Sequence, residues 1–598
     1  MFAPFPTPAT AASHHSAASH LRAGLPCPSQ WRLTPLLTPP RAERATDSFF
    51  TTMQQVLTAL HRANDTRARP AARLQATETL AHWLWPRLLD QLHQLTVDQR
   101  GIAETTGQRE FYAQLEQVID AMIAAYRLVL ADDYGDLPTP KQASWARLSL
   151  AALRILEWVQ CAQRLSALRY RPLAPELWRV TNCVFSAIAT IGADHDAQPR
   201  LTPGVFTAPA AATATVTEQY LAIQTLGLFD TCSWSRHDHE LILSYCATVT
   251  DGVRVVRADA APLTKLDDLR FTSADHDAPP CLTQPTGEHP LMILDCQRLA
   301  AVVRQDYSDL FNPNAATDLH TSPSLAVLPA LQRRPFLRLL ARDLDEGAIT
   351  DESSAITLPT SGEPVALHVG FTPVREQLRH IFSRPTAAAT SELASAGSGY
   401  SGQPRSRHAV PAPASHLRSA WAVVDQRARR LWISTRDQRA GHGVTVGTLA
   451  LYDIGRHELT NPVLGKVARV AQLTNGALVV ELQMLASFAT LVALRSTEAV
   501  ALARDQDAAR LPSLLIYDAD FGWGVMSAPQ VQISEGEAIE IGSKRLTIAS
   551  RLRRLREATG EFLLYQIDAN DARLGVPAYP GQRVARHSAA VPSSAAVA

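Results

Sequence analysis

The sequence lacks a net charge, long apolar runs and closely paired cysteines, and each absence excludes a class of protein. The 57 lysine and arginine residues balance 57 aspartate and glutamate residues, so no overall field draws the chain to nucleic acid or to an anionic bilayer. No apolar run reaches the roughly 18 residues of a transmembrane helix, so we predict no membrane insertion. The seven cysteines are widely spaced without a C-x-x-C pair, which favours buried thiols in a reducing compartment.

The sequence also lacks the short motifs of the common catalytic sites. It contains no G-x-S-x-G elbow, H-E-x-x-H helix, P-loop or recognisable cysteine nucleophile. The N-terminus has neither the basic region nor the apolar core of a signal peptide. We therefore predict a cytoplasmic, non-catalytic protein with no catalytic residue, no metal and no cofactor, while an enzyme with a dispersed site stays a weaker alternative.

Composition divides the 598 residues into six segments, since one hydrophobic core cannot serve so long a chain. Two terminal segments and an internal linker are rich in Ala, Pro and Ser, so they cannot bury enough apolar surface to fold. We predict disordered termini at 1–45 and 573–598, an α-helical domain at 46–382, a flexible linker at 383–415, a β-barrel at 416–500 and a β-rich extension at 501–572. The predicted fold class is a multidomain α+β protein.

The helical prediction rests on apolar residues that recur with the period of a helix. In "DSFFTTMQQVLTALHRAN", Phe50, Met53, Val56 and Leu60 lie on one face, and Asp47 or Ser48 is the expected N-cap. The same helical period of apolar residues recurs in several further segments, which predicts an antiparallel bundle or a TPR-like superhelix. In "WSRHDHE", adjacent residues do not share a helix face, so a helix N-cap is favoured over a metal site.

The pattern changes in the C-terminal half of the chain. A strand at Val365 to Phe371 and a helix from near Pro373 are predicted to close the helical domain. After residue 415 the apolar residues alternate, and Asn475-Gly476 separates two alternating runs. That dipeptide favours a type I′ hairpin turn, because both central residues of such a turn need positive φ. "DFGWG", Asp520 to Gly524, is interpreted as another β-turn. Closing the strands into a barrel would hide their edges.

Several stretches of the chain resemble known families. "WAVVDQRARRLWIST", "VTVGTLALYDIG" and "LGKVARVAQLTNGALVVELQML" resemble a PilZ domain, the small antiparallel β-barrel that receives cyclic di-GMP in bacteria. "PELW", "TVTEQYL" and "VALHVGFTPVREQL" are similar to the N-terminal region of FimW-like receptors, a proteobacterial group linked to surface motility and adhesion. The resemblance implies a cyclic di-GMP receptor whose helical domain binds a protein partner.

Two motifs bind the dinucleotide in members of the PilZ family. An RxxxR motif supplies two guanidinium groups for phosphates and guanine faces, and a [DN]xSxxG motif supplies a carboxylate or amide, a hydroxyl and a glycine. In "DQRARR" Asp425 matches the second motif, while Arg427 replaces its serine and Arg430 its glycine. The arginines near the first motif are Arg405, Arg407 and Arg418, and no two of them are four residues apart.

The altered motifs leave two functions open. One is a PilZ-like cyclic di-GMP receptor, or a degenerate relative of one, which uses the six residues just named and controls surface motility, type IV pili or biofilm formation through a protein partner. The alternative is a constitutive, chaperone-like scaffold that binds no nucleotide. A receptor is expected to order the linker arginines around a ligand, and an adaptor is not. We expect Asp425 at the mouth of the barrel.

Overall fold

A computed structural model describes most of the helical and β-rich regions. The described residues are 30–31, 49–97, 102–135, 142–201, 212–249, 252–257, 269–282, 291–310, 330–346, 362–383, 420–455, 459, 462–473, 475–496, 511–529, 533–542 and 547–568. The predicted N-caps Asp47 and Ser48 lie outside these ranges, as does nearly all of the three segments predicted to be disordered or flexible.

The chain forms two compact units. The helical unit comprises Met1–Thr357 together with Asp437–Val446 and Arg469–Val479, and the barrel unit comprises Leu358–Arg436, Gly447–Ala468 and Val480–Ala598. The confirmed fold class is therefore a multidomain α+β protein.

Nine of the ten described α-helices belong to the helical unit. They are α1 (Phe49–Asn64), α2 (Pro70–Val97), α3 (Thr106–Gly135), α4 (Gln142–Leu168), α5 (Pro175–Thr190), α6 (Val216–Leu226), α7 (Arg236–Thr248), α8 (Gln297–Asp309) and α9 (Ala330–Glu346). A short 3₁₀-helix, Thr231–Ser233, precedes α7.

Helix α4 lies in the middle of this unit, because residues 151–165 are buried on every face. The one fully buried arginine in that run, Arg154, is paired with Glu78 of α2 and with Glu157 one turn along α4. Pairing is required here, since an unpaired charge in an apolar core costs several kcal/mol. The predicted inward residues Met53, Val56 and Leu60 of α1 join the same core.

The helical unit also contains small β-elements. β5 (Arg254–Arg257), β7 (Leu291–Asp295) and β6 (Leu269–Ser273) form an antiparallel sheet in that order. Two-residue strands pair as β1 (Gln30–Trp31) with β2 (Thr66–Arg67), and as β3 (Gln198–Pro199) with β4 (Thr213–Ala214). The N-cap predicted in "WSRHDHE" is confirmed, since Ser235 forms a capping box with Asp238 at the start of α7.

Six strands close into a first barrel. They are β8 (Pro364–Val369), β9 (Trp421–Arg427), β10 (Arg430–Thr435), β11 (Leu449–Ile454), β12 (Val463–Gln472) and β13 (Leu478–Ala486). The order around the barrel is β8-β9-β10-β13-β12-β11, and β11 pairs with β8 to close it. A 3₁₀-helix, Gln438–Gly441, follows β10.

The strand predicted at Val365 to Phe371 is present as β8, but its hydrogen bonds lie in the barrel. β8 pairs with β9 and β11, and the helix that follows, α10 (Phe371–Ser383), packs on β8, β11 and the later strand β14 (Phe488–Ser496). The segment 384–419 thus connects two neighbouring strands of one barrel, whereas the sequence composition predicts a linker between the helical domain and the barrel.

The β-rich C-terminal region closes into a second barrel. Its strands are β14, β15 (Leu511–Asp518), β16 (Gly522–Ser527), β17 (Ala538–Gly542), β18 (Thr547–Ala558) and β19 (Leu563–Ile567). Their order is β14-β15-β16-β19-β18-β17, with β17 pairing back to β14. If the strands of each barrel are counted from one to six along the chain, both barrels have the order 1-2-3-6-5-4. The region is therefore a second barrel with the topology of the first.

The predicted hairpin at Asn475-Gly476 occurs between β12 and β13, although its turn differs from the prediction. The Leu473 N–H donates to the Ala477 carbonyl, which encloses three residues, and Gly476 has φ +79°. A loop of three residues is not the two-residue type I′ turn that the dipeptide favours. A three-residue loop that ends in a left-handed glycine is the next commonest hairpin connection.

Candidate functional site

The candidate site is the β9–β10 hairpin of the first barrel, residues 421–435, which we call the arginine hairpin. Asp425 lies on β9, Arg427 ends that strand and Arg430 begins β10. Arg427 and Arg430 pair across the strands, so only Ala428 and Arg429 form the loop. The three residues predicted for the altered second motif therefore lie together, because the loop is so short.

Asp425 and Arg427 form an exposed ion pair beside an aromatic ring. The Arg427 Nε donates to Asp425 Oδ2 at 2.8 Å, with 61% and 45% of the two side chains exposed. The Arg427 guanidinium carbon also lies 5.4 Å from the ring centroid of Trp432, which is the cross-strand partner of Asp425. A cation over an indole face is favourable. A carboxylate, a guanidinium and an indole thus form one cluster on this hairpin.

Asp425 does not point into the apolar interior. Its Oδ1 accepts a hydrogen bond from the backbone N–H of Gln426 at 2.8 Å, and its Oδ2 contacts Arg427. A register shift between Trp432 and Ile433 interrupts β10 directly after the Asp425 partner. Such bulges re-aim side chains at the rims of barrels, and the Asp425 carboxylate is exposed to solvent and contacts an arginine.

Arg430 contacts a different carboxylate. Its Nη1 lies 3.4 Å from an Oε of Glu481 on β13, and half of the Arg430 side chain is exposed while Glu481 is buried. In the motif of the PilZ family this position is a glycine, where a ligand approaches the backbone. Here the position carries a long charged side chain that is tied to the neighbouring strand.

Arg429 is part of the site but was not selected from the sequence. Its guanidinium donates to Asp518, which ends β15 of the second barrel, and to Asp520, which lies in the turn between β15 and β16. It also reaches the carbonyl oxygens of Met484 and Leu485 at 3.4 and 3.5 Å. The hydrogen bond to Asp518 raises the pKa of Arg429. Its partners are distant in sequence, and only the unusual pair of aspartates in "DADFG" signals them.

The charges around the arginine hairpin offset one another. Its three arginines face four carboxylates, which are those of Asp425, Glu481, Asp518 and Asp520. An anion therefore does not meet a strongly positive surface here. Binding of a phosphodiester would have to rearrange at least one of these ion pairs.

The remaining predicted ligand residues, Arg405, Arg407 and Arg418, lie outside the described residues. Within the part of the chain that the structure describes, no group of three or more His, Cys, Asp or Glu side chains is arranged to hold a metal ion. Among the described residues, no helix is long and apolar enough to cross a membrane.

Residues 42–259 match the family model described as the N-terminal domain of the cyclic-di-GMP receptor FimW. The match covers α1 to α7, and it confirms the resemblance to FimW-like receptors for the helical region. No curated protein and no solved structure matches the chain. The match therefore concerns the helical region and not the arginine hairpin.

Proposed function

We propose that this chain, whose helical region matches a family of cyclic di-GMP receptors, is a non-catalytic regulator that binds cyclic di-GMP at the arginine hairpin. One observation carries the proposal. Asp425 and Arg427 lie exposed on a short hairpin of a closed six-stranded barrel, next to Trp432, in a chain with this N-terminal match. The protein needs no cofactor for such a role.

The Asp425 carboxylate suits the edge of guanine, because a carboxylate accepts hydrogen bonds from its N–H groups. The Arg427 guanidinium packs one face towards Trp432, and its other face can stack on a base or donate to a phosphate. Separating an exposed ion pair costs only about 0.2–1 kcal/mol. The pairing of Asp425 with Arg427 therefore does not prevent either group from taking a ligand.

The other arginines have different expected roles. Arg430 can reach a phosphate only by leaving Glu481. Arg429 has two carboxylates and two carbonyls as partners, so it can reach a phosphate only by giving up one of these carboxylates. Arg405, Arg407 and Arg418 belong to the long connection between β8 and β9, which places them one strand away from the arginine hairpin along the chain. We propose that they also contact the bound dinucleotide.

In the cell, the ligand-bound protein would act in the cytoplasm on a protein partner. The helical unit is the part that we propose for this partner, and surface motility, type IV pili and biofilm formation are the processes that fit a FimW-like receptor. We propose that ligand binding shifts a conformational equilibrium of the protein, which requires that the ligand binds one state more tightly than the other.

Isothermal titration of the full chain with cyclic di-GMP tests the proposal. We expect sub-millimolar binding that Asp425→Ala and Arg427→Ala each weaken by about 10-fold or more, because a hydrogen bond to a charged group contributes about 1.5–3 kcal/mol. Arg553→Ala is the matched control. Arg553 pairs with Asp568 on the second barrel, with 64% and 43% of the side chains exposed.

A second function has an observation of its own. All three arginines of the hairpin already have carboxylate partners, which is what a constitutive adaptor without a nucleotide ligand would show. A titration with no heat up to millimolar cyclic di-GMP would refute the receptor and favour the adaptor. Equal affinity in the wild type and both hairpin variants would refute the assigned site alone.

A further inference from the structure

The two barrels meet through equivalent hairpins of opposite charge. In each barrel the second and third strands form a hairpin, which is β9–β10 in the first and β15–β16 in the second. The first hairpin has Arg429 in its loop, and the second has Asp518 and Asp520 at its turn. Residues 518–520 are called the acidic turn below.

The acidic turn offers Arg429 one buried and one exposed carboxylate. Only 2% of the Asp518 side chain is exposed, against 70% for Asp520. Both Arg429 Nη atoms contact Asp518, and Nη1 also contacts Asp520. The turn is itself pre-formed, because the backbone N–H of Asp520 donates to Asp518 Oδ1 at 3.0 Å. Two carboxylates held at one guanidinium resemble the paired oxygens of a phosphate.

The first barrel also holds Arg429 in place. The Arg429 carbonyl accepts the backbone N–H of Met484 at 2.8 Å, so the loop of the arginine hairpin is tied to β13 as well as to the acidic turn. Asp518 is thus a permanent partner that the fold has desolvated, while Asp520 can exchange with solvent and with dissolved anions. A phosphate arriving at this hairpin meets the Asp520 charge first.

We infer that Asp520 of the acidic turn occupies the arginine hairpin as a ligand phosphate would. A phosphodiester ligand of the first barrel therefore binds in competition with Asp520. The inference rests on the proposed function, whose dinucleotide carries two phosphodiester groups. The second barrel would then set the ligand concentration at which the first barrel responds. Its acidic turn weakens binding without contacting Asp425 or Arg427, the groups assigned to the base.

The test compares Asp520→Asn with Asp568→Asn in the full chain. Both changes remove an exposed carboxylate that pairs with an arginine of the barrel unit, but only Asp520 faces the arginine hairpin. Asp520→Asn is expected to bind cyclic di-GMP about 2- to 5-fold more tightly than the wild type, as removal of one exposed ion pair implies. Asp568→Asn is expected to bind like the wild type. Circular dichroism and thermal unfolding establish that both variants fold.

Failure of the inference is distinct from failure of the proposed function. If the wild type binds the dinucleotide and Asp520→Asn binds equally or more weakly, the competition is refuted and the receptor stands. If neither protein binds the dinucleotide, the receptor is refuted. The titration is then repeated with inorganic pyrophosphate in place of the dinucleotide. Tighter pyrophosphate binding by Asp520→Asn than by both the wild type and Asp568→Asn supports the competition between Asp520 and a bound anion. Any other result overturns it.

Discussion

The two barrels share one strand order, yet they use the same hairpins differently. The hairpin of the second and third strands is basic in the first barrel and acidic in the second. In the first barrel, the end of the hairpin formed by the fifth and sixth strands, Arg469–Val479, belongs to the helical unit. In the second barrel, the turn of the equivalent hairpin contacts the first barrel through Glu561. The strands set the topology, and the turns set the partners.

The physical reason is that strand residues and turn residues are under different structural constraints. Strand residues of both barrels supply the buried apolar side chains, such as Leu431 and Ile433 in the first barrel and Leu514 and Ile516 in the second. Turn residues have no such requirement. They therefore diverge freely, which is why function tends to lie on loops that a scaffold positions.

The largest expected effect concerns the fifth-to-sixth hairpin of the first barrel. Arg469 donates from Nε and Nη2 to the two carboxylate oxygens of Asp230, and both residues are buried in the helical unit. Arg469→Met leaves this carboxylate without its cation, so we expect a loss of about 3–5 kcal/mol in the free energy of unfolding. Urea denaturation followed by circular dichroism measures it.

A double-mutant cycle separates the ion pair from packing. Arg469→Met combined with Asp230→Ala is expected to lose less than the sum of the two single variants, because each single change strands a buried charge. The equivalent strand of the second barrel supplies the comparison. There, Arg553→Ala removes an exposed pair with Asp568 and is expected to cost no more than about 1 kcal/mol. Additive losses in the cycle would show that the ion pair does not hold this hairpin.

The fifth-to-sixth hairpin of the second barrel is expected to respond to pH instead. Burial raises the pKa of Glu561, opposed by hydrogen bonds from the backbone N–H groups of Leu449 and Phe371. Because the folded pKa lies above the unfolded value, the contribution of Glu561 to stability is fully present below pH 4.5, the ordinary pKa. It declines as the pH rises through the raised pKa.

Glu561→Gln removes this titration. We expect the free energy of unfolding of the wild type, measured relative to the variant, to fall as the pH is raised from about 4 towards neutrality. The amide adds an offset from its changed hydrogen bonds, but that offset does not depend on pH. Urea titrations at several pH values provide the measurement. Parallel pH profiles for the two proteins would mean that burial does not perturb this carboxyl group.

Local features of these hairpins could be read from the sequence. The alternation after residue 415 predicted the strands, Asn475-Gly476 marked the β12–β13 turn, and the order of helices followed from apolar periodicity. Each of these depends on residues that are close together in the chain. Asp425, Arg427 and Arg430 lie together because they share one short hairpin, and their role in ligand binding stays a prediction.

Long-range pairings could not be predicted in this way. β8 pairs with β9 across the segment 384–419, and no local pattern encodes a partner at that distance. Only Ser487 separates β13 from β14, so the sequence showed no turn where one barrel ends and the next begins. Arg429 was missed for the same reason, since the carboxylates of Asp518 and Asp520 lie 89 and 91 residues further along the chain.

The smallest expected effect comes from the turns of the equivalent second-to-third hairpins. Ala428 in the first barrel has φ +38°, while Gly522 at the corresponding turn in the second has φ +78°. A left-handed conformation costs an L-residue roughly 1–2 kcal/mol, and glycine avoids that cost. The first barrel therefore carries strain at the loop that holds Arg429, and the second barrel does not.

Exchanging the two residue types tests this difference. A Cβ at Gly522 would meet no atom within 4 Å, so Gly522→Ala isolates the backbone term and is expected to cost about 1 kcal/mol. Ala428→Gly is expected to stabilise the protein by less than about 1 kcal/mol, because the greater freedom of glycine in the unfolded chain offsets part of the relief. Urea midpoints of the two variants should shift in opposite directions. A loss of stability in both would contradict the backbone strain assigned to Ala428.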